Sequence, residues 1–195
     1  MDCSKETMCD ILGISEEDKD WQQKAIQMLI SDPEGYRRKV LQRYLKKEQT
    51  TQDLCSKCKG KCCKHAPCHY SPEDFEEISF DSLKKQIEKG HISIVSVSMR
   101  EYDEDDMLLQ AYILRPRGKD RPISDYGSPL DIPCSLLTET GCSLSYEDRP
   151  MGGKMLIARE NGACMAVYES DMCINDWKPY QDILEELFEL YYCEY

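Results

Sequence analysis

The most informative stretch of the sequence is CSKCKGKCC, from Cys55 to Cys63. It opens with a Cys-x-x-Cys turn, which places two sulfurs close enough to hold one metal ion. Gly60 permits a backbone turn that brings Cys62 toward the same centre. If Cys55, Cys58 and Cys62 share one zinc, we expect their sulfurs to lie about 3.5–4 Å apart, because Zn–S bonds are near 2.3 Å.

The adjacent cysteines Cys62 and Cys63 need a separate interpretation, because neighbouring side chains diverge and rarely ligate one ion. Either the two sulfurs serve two sites, or one ligates and the other packs in the core as a small apolar group. Cys68 is a further candidate ligand a few residues on. His65 and His69 could supply imidazole ligands or could be surface residues of the loop.

Lysines are interspersed among these sulfurs, and no acidic residue occurs between Cys55 and Tyr70. Ammonium groups would lower the pKa of nearby thiols and offset the negative charge of a thiolate-bound metal. Alternatively, they are solvated lysines that merely flank the loop. The four residues are Lys57, Lys59, Lys61 and Lys64.

A second cysteine group follows much later in the chain. Cys134 and Cys142 stand on either side of a turn at Thr138–Gly141, which is typical of a tight hairpin with one cysteine on each arm. Such a hairpin brings its arms together, so we expect these two sulfurs to complete the site begun at Cys55. Cys164 follows a turn at Asn161–Gly162.

Composition restricts the class of protein. Twelve cysteines in 195 residues, with no secretory signal at the N-terminus, indicate metal or redox chemistry in a reducing compartment, and we expect the cytoplasm. A net charge of −12 argues against a nucleic-acid partner and against an anionic membrane surface. The sequence also lacks the run of about 20 apolar residues that a membrane span needs.

The remaining patterns predict an α+β fold in two parts. Residues 1–53 form an N-terminal helical extension, a hairpin of helices over Glu16–Ile30 and from a cap at Asp32 onward. Residues 54–195 form the cysteine-cluster metal-binding domain, which begins with the cysteine-rich metal loop.

Within the second part we expect a small antiparallel β region and a C-terminal helix. Strands are predicted at Ile92–Val97 and Met107–Leu114, joined by a turn at Glu101–Asp106. A long loop is predicted from Arg115 to Pro133. The predicted helix Asp176–Tyr192 carries aromatic and leucine side chains on one stripe, which we expect to face a core.

The combination of cysteine motifs resembles the YkgJ-type cysteine-cluster family, described as a zinc- or iron-chelating domain. The resemblance rests on the Cys-x2-Cys-x3-Cys-Cys motif, and on the stretch from Pro133 to Pro150 with its cysteine pair and Arg-Pro. These motifs span about Cys55–Lys154, roughly half of the chain. The chain is also distantly similar to the cysteine-rich part of flagellin lysine methylase, which implies an iron–sulfur option.

The chain departs from the family pattern at one point. The family continues Arg-Pro-x-x-Cys-Arg, whereas this chain has Gly153 and Lys154 at the last two positions. Cys164 or Cys173 could replace the missing family cysteine.

The function predicted from these residues is metal binding, with zinc or a [4Fe–4S] cluster held by thiolates. The alternative is an iron–sulfur-dependent enzyme, methylase-like, that modifies a protein or peptide substrate. The acidic run Tyr102–Asp106 could bind a basic partner or be a solvated turn. No phosphate loop, dinucleotide fingerprint or hydrolase elbow is present, so whether the chain is an enzyme stays open. The candidate metal ligands are Cys55, Cys58, Cys62, Cys63, Cys68, Cys134, Cys142 and Cys164.

Overall fold

The computed structural model describes residues 20–32, 35–36, 38–39, 57–65, 68–100, 108–127, 132–157 and 164–192. The chain divides into two compact units, residues 1–50 and 51–195. The boundary predicted from sequence, between residues 53 and 54, stays a prediction. None of the helices in the described ranges is both long and apolar enough to cross a membrane.

The first unit contains helix α1, Trp21–Ser31. Asp32 closes this helix by donating its backbone N–H to the Met28 carbonyl. Its carboxylate in turn accepts the backbone N–H of Gly35 at 2.9 Å, as expected of an N-cap, and residues 35, 36, 38 and 39 are helical. Residues 16–19 of the predicted first helix, and the second helix beyond residue 39, lie outside the described residues. The N-terminal hairpin therefore stays a prediction.

The second unit combines short helices with small sheets. Its described helices are α2 (Lys61–His65), α3 (Phe80–Ile87), α4 (Met151–Lys154), α5 (Ser170–Trp177) and α6 (Gln181–Tyr192), with 3-10 turns at Pro72–Asp74 and Lys178–Tyr180. Its described strands are β1 (Ile92–Arg100), β2 (Leu108–Pro116), β3 (Ser124–Tyr126), β4 (Leu137–Thr138), β5 (Gly141–Cys142), β6 (Leu156–Ile157) and β7 (Met165–Ala166).

The largest sheet confirms the α+β class and corrects one detail of it. Strands β1 and β2 pair antiparallel from Ile92↔Pro116 to Arg100↔Leu108, as the alternating pattern predicts. The sheet is nevertheless mixed, because β3 pairs parallel to β1 and gives the strand order β2-β1-β3. Strand β3 lies inside the predicted loop 115–133, so the prediction of a purely antiparallel region was wrong. The predicted turn 101–106 lies outside the described residues.

The C-terminal stripe is structural, as predicted. Five of its six members are buried, and Tyr180 is half-buried. The buried five are Trp177, Leu184, Leu187, Phe188 and Tyr191. The structure, however, divides the predicted single helix into α5, a 3-10 turn and α6. Pro179 lies in that turn and has no backbone N–H to donate, so a continuous α-helix through it would lose a hydrogen bond.

Helix α6 also closes the edge of the sheet. The Gln181 side chain accepts the Tyr112 backbone N–H at 2.7 Å and donates to the Tyr112 carbonyl at 3.0 Å. Strand β2 is an edge strand, so these two bonds satisfy backbone groups that the sheet leaves open. The same strand is therefore held both by pairing and by a side chain of the C-terminal helix.

Replacing Leu184 with Ala should destabilise the protein by about 2–5 kcal/mol, because the side chain is fully buried and its loss leaves a cavity. Urea unfolding followed by far-ultraviolet circular dichroism measures this. Glu186→Ala, two residues along on the exposed face of α6, should stay within about 0.5 kcal/mol of the wild type. Equal losses in both variants would contradict the packing described here.

Candidate metal centre

The segment Cys68–Asp74 is fixed by the backbone of Tyr70. The Tyr70 N–H donates to the Leu114 carbonyl of β2 at 2.9 Å. The Tyr70 carbonyl accepts from Trp177 Nε1 at 2.8 Å and from Cys173 Sγ at 3.4 Å. Tyr70 therefore connects the edge of the sheet to α5. These backbone hydrogen bonds fix the positions of the two preceding residues, Cys68 and His69.

Asp74 ties the same segment to α4. Its carboxylate accepts the backbone N–H of Ser71 at 2.9 Å, within a capping box, and the backbone N–H of Met151 at 2.8 Å. The other carboxylate oxygen lies 3.5 Å from Lys154 Nζ, and the Asp74 side chain is only 6% exposed. Lys154, which stands where the family pattern has arginine, thus forms an ion pair that holds α4 in place.

The predicted hairpin is confirmed, but only Cys142 lies on an arm of it, because Cys134 precedes the first strand and forms a bridge with Gly118 instead. Leu137 pairs with Cys142 and Thr138 with Gly141, which form β4 and β5. The backbone N–H of Cys134 donates to the Cys63 carbonyl at 2.8 Å, so the hairpin is joined directly to α2. Gly60 has φ +68°, and a Cβ there would lie 2.6 Å from Leu137 Cδ1. Glycine is required at this position both for the turn and for its approach to the hairpin.

These contacts enclose one cavity of about 430 Å³. Part of its wall is apolar, formed by Pro116, Leu136, Leu144, Leu156 and Ala166. The rest carries the sulfur and nitrogen groups that bind soft and borderline metals. Seven such residues line it: Cys63, His65, Cys68, His69, Cys134, Cys142 and Cys164.

Five of the eight candidate ligands therefore line one cavity. Cys58 is half-buried outside the cavity lining, and its sulfur accepts the Lys61 N–H at 3.4 Å. Cys55 lies outside the described residues, and nothing is described of the Cys62 side chain. The predicted convergence of these three sulfurs stays a prediction.

The spacing of the cavity thiols also matters. Within the described ranges, no three Cys, His, Asp or Glu side chains approach each other closely enough to hold one metal ion.

Among the described residues, one ring nitrogen of His69 has a hydrogen-bond partner and the other does not. Its Nε2 shares a hydrogen bond of 3.2 Å with Ser170 Oγ, whereas Nδ1 is buried and has no partner among the described residues. Burial, with a smaller contribution from the positive charge of Arg115, lowers the pKa of His69 to about 4. The ring is therefore neutral at pH 7, as an imidazole that ligates a metal must be.

The structure distinguishes the two cysteines considered as replacements for the family residue at 153. Cys164 lines the cavity, whereas Cys173 is buried in α5 away from it. Burial raises the pKa of Cys173 to about 12, and the thiol donates to the Tyr70 carbonyl. Cys173 is thus an unreactive structural thiol in this fold.

The cation beside the sulfurs is an arginine. The four lysines of the predicted basic loop are all exposed, and none lines the cavity. Arg149 lines it instead, with its Nε buried and without a partner among the described residues. Sequence reasoning missed this role, although Arg149 belongs to the Arg-Pro pair that carries the resemblance.

Two glycines of α4 lie against the Cys68–His69 backbone. The Gly152 N–H donates to the His69 carbonyl at 3.0 Å, and a Cβ at Gly152 would lie 2.7 Å from the His69 nitrogen. A Cβ at Gly153 would lie 3.4 Å from Cys68 Sγ. Position 153, where the family pattern has cysteine, therefore does border the sulfur-lined cavity.

Comparison of the chain with protein-family models, with curated proteins and with solved structures found no match in any of the three.

The Gly152→Ala change should destabilise the protein by about 1–3 kcal/mol, because the new methyl group meets backbone atoms of His69 that cannot move aside. Gly153→Ala should cost much less, since its nearest neighbours at 3.3 and 3.4 Å belong to the Arg149 and Cys68 side chains, which can shift. Urea denaturation of the two variants in parallel measures the difference. A Gly153→Ala loss as large as that of Gly152→Ala would refute the proposed packing.

Proposed function

We propose that this protein binds a metal centre through cysteine thiolates in the cavity between α2, the β4–β5 hairpin and α4. The observation that carries the proposal is that five cysteines, distant in sequence, line one cavity. Unrelated buried thiols would be expected at separate places in the core, as Cys173 is. The resemblance of the cysteine motifs to the zinc- or iron-chelating family points to the same conclusion, although it rests partly on the same cysteines.

An iron–sulfur cluster fits the donor set better than one zinc ion. A structural zinc takes four ligands in a tetrahedron with bonds of about 2.0–2.3 Å, and such a site fills little of a cavity of about 430 Å³. Five lining cysteines exceed that requirement, and four of them would complete the thiolate set of a [4Fe–4S] cluster. Zinc remains the second candidate metal.

The residues proposed to hold the cluster are four of the cavity cysteines, Cys63, Cys68, Cys134 and Cys142, with Cys164 as a further candidate. When bound, the cluster would supply one-electron transfer or a structural crosslink. The chain's own part is to hold the thiols on rigid elements and to exclude water with Leu136 and Leu144.

The finer points of organisation are also part of this proposal. We propose an N-terminal helical hairpin in residues 1–53, followed by the cysteine-cluster domain with its metal loop at Cys55–Cys68. A reducing compartment such as the cytoplasm suits both the number of cysteines and a thiolate-bound metal.

Anaerobically purified protein should be brown, with a broad visible absorption band, iron, and acid-labile sulfide. Absorption spectroscopy combined with elemental analysis provides the measurement. A colourless protein that contains stoichiometric zinc would exclude the cluster and keep the thiolate site. A protein without bound metal, purified under conditions that preserve both zinc sites and iron–sulfur clusters, would overturn the proposed function.

Changing Cys134 or Cys142 to Ser should lower the affinity for metal by more than the roughly 10–100-fold that loss of an outer-shell partner costs. Stability should fall as well, because metal binding and folding are coupled. Metal content and thermal unfolding of purified variants measure both effects.

Two matched controls separate ligation from a general effect of losing a thiol. Cys173→Ser removes a buried thiol outside the cavity, and its hydroxyl can still donate to Tyr70, so metal content should be unchanged. Cys193→Ser, near the C-terminus, should likewise leave metal content unchanged. Equal metal content in the wild type and the Cys134 and Cys142 variants would show that the hairpin cysteines are not ligands.

A further inference from the structure

Two buried polar atoms without partners line the same cavity. Among the described residues, Nε of Arg149 and Nδ1 of His69 are the buried side-chain nitrogens and oxygens that lack a hydrogen-bond partner. Both residues belong to the cavity wall. Burying an unsatisfied donor is costly, and a native fold keeps one where it serves a ligand. Their presence in one cavity indicates that something polar binds there.

Arg149 stacks on Tyr146 and keeps its buried Nε without a partner among the described residues. Its guanidinium lies 5.9 Å from the centroid of the Tyr146 ring, which orients it, and the Tyr146 hydroxyl is itself fixed by donating to the Lys154 carbonyl at 2.9 Å. None of the ion pairs of the described residues includes Arg149. A half-buried guanidinium whose Nε–H lacks a partner favours an oxyanion, since its planar donors match a carboxylate.

His69 can supply the second polar contact. If Ser170 donates its hydroxyl proton to Nε2 across their 3.2 Å contact, the ring proton lies on Nδ1, which then donates into the cavity. One guanidinium suits a single carboxylate better than a dianion, and Glu169 on the same wall opposes further negative charge.

The remaining wall specifies the body of the ligand. Leu136, Leu144 and Leu156 present aliphatic surface to the cavity. A volume of about 430 Å³ lies within the range of small-molecule pockets, which are mostly apolar and carry a few well-placed polar groups. A short aliphatic chain attached to a carboxylate matches this wall.

We propose that the cavity binds a small aliphatic monocarboxylate, with its carboxylate at Arg149 and His69 and its chain along the leucine wall. The proposal shares its cavity with the metal centre but rests on the unpartnered nitrogens and the apolar wall. In the competing account, Arg149 donates to a metal-bound sulfur and the cavity takes no organic ligand.

The test is calorimetric titration of the protein as purified under anaerobic conditions with hexanoate, and with hexanol and hexylammonium as probes of equal chain length. Hexanoate should bind at least about tenfold more tightly than either, because only it pairs with the guanidinium. Equal binding of the three probes, or no binding of hexanoate, overturns the proposal without any variant.

Variants then test the residue. Arg149→Gln should weaken hexanoate binding at least about tenfold and remove the preference over hexanol. Arg149→Lys keeps the charge but loses the Nε–H donor, so its affinity should fall between the two. Lys178→Gln, which removes one exposed positive charge outside the cavity wall, should bind hexanoate as the wild type does.

Metal analysis of the same samples separates this proposal from the proposed function. Wild-type protein that prefers hexanoate but holds no metal would support the pocket and refute the metal centre. Arg149→Gln protein that retains metal and loses hexanoate binding supports both. If Arg149→Gln retains the hexanoate affinity of the wild type, or if it loses metal while the wild type shows no carboxylate preference, the pocket proposal is wrong.

Discussion

The backbone of Tyr70 is the constraint on which the rest of the site depends. Its N–H is bonded to the edge strand β2 and its carbonyl to the indole of Trp177, so one residue connects the sheet, helix α5 and the segment that carries Cys68 and His69. Burial, together with the nearby Cys68 and Cys134, raises the pKa of the Tyr70 side chain. Loss of either backbone hydrogen bond would leave a buried polar group unsatisfied, and this cost keeps β2 and α5 connected through Tyr70.

Much of the fold could be predicted because it is encoded locally. Alternating β-branched residues predicted β1 and β2, a four-residue turn predicted the β4–β5 hairpin, and a helical stripe predicted the buried face of α6. Strand β3 could not be found in this way, since three residues in a polar segment carry no periodicity. Its position depends on parallel pairing with β1, a contact between Ile94 and Ser124 across 30 positions of the chain.

The candidate site could likewise be predicted only where the information is local in sequence. Residue type and spacing singled out the cysteines, and five of the eight named lie around one cavity. Spacing could not say which way each side chain faces, and so Cys58 and Cys173 could not be told from Cys164 before the fold was known. The charge argument likewise chose the four lysines that are close in sequence, whereas the folded cavity is lined by Arg149, which lies far along the chain. The orientation of each cysteine and the cation that lines the cavity depend on long-range packing, which cannot be predicted from a local sequence pattern.

The arrangement of the cavity wall also sets the order in which this protein can mature. Cys63 precedes the whole of the β1–β2–β3 sheet in sequence, and Cys164 follows it, yet both line the same space. During synthesis the early thiols leave the ribosome well before the sheet that carries their partners, because chains emerge from the N-terminus onward. For the metal centre proposed above, the ligand set is complete only after α4 and α5 have been made. Metal supplied at the ribosome would therefore meet an incomplete set of the proposed ligands, and we expect insertion to follow synthesis of these helices.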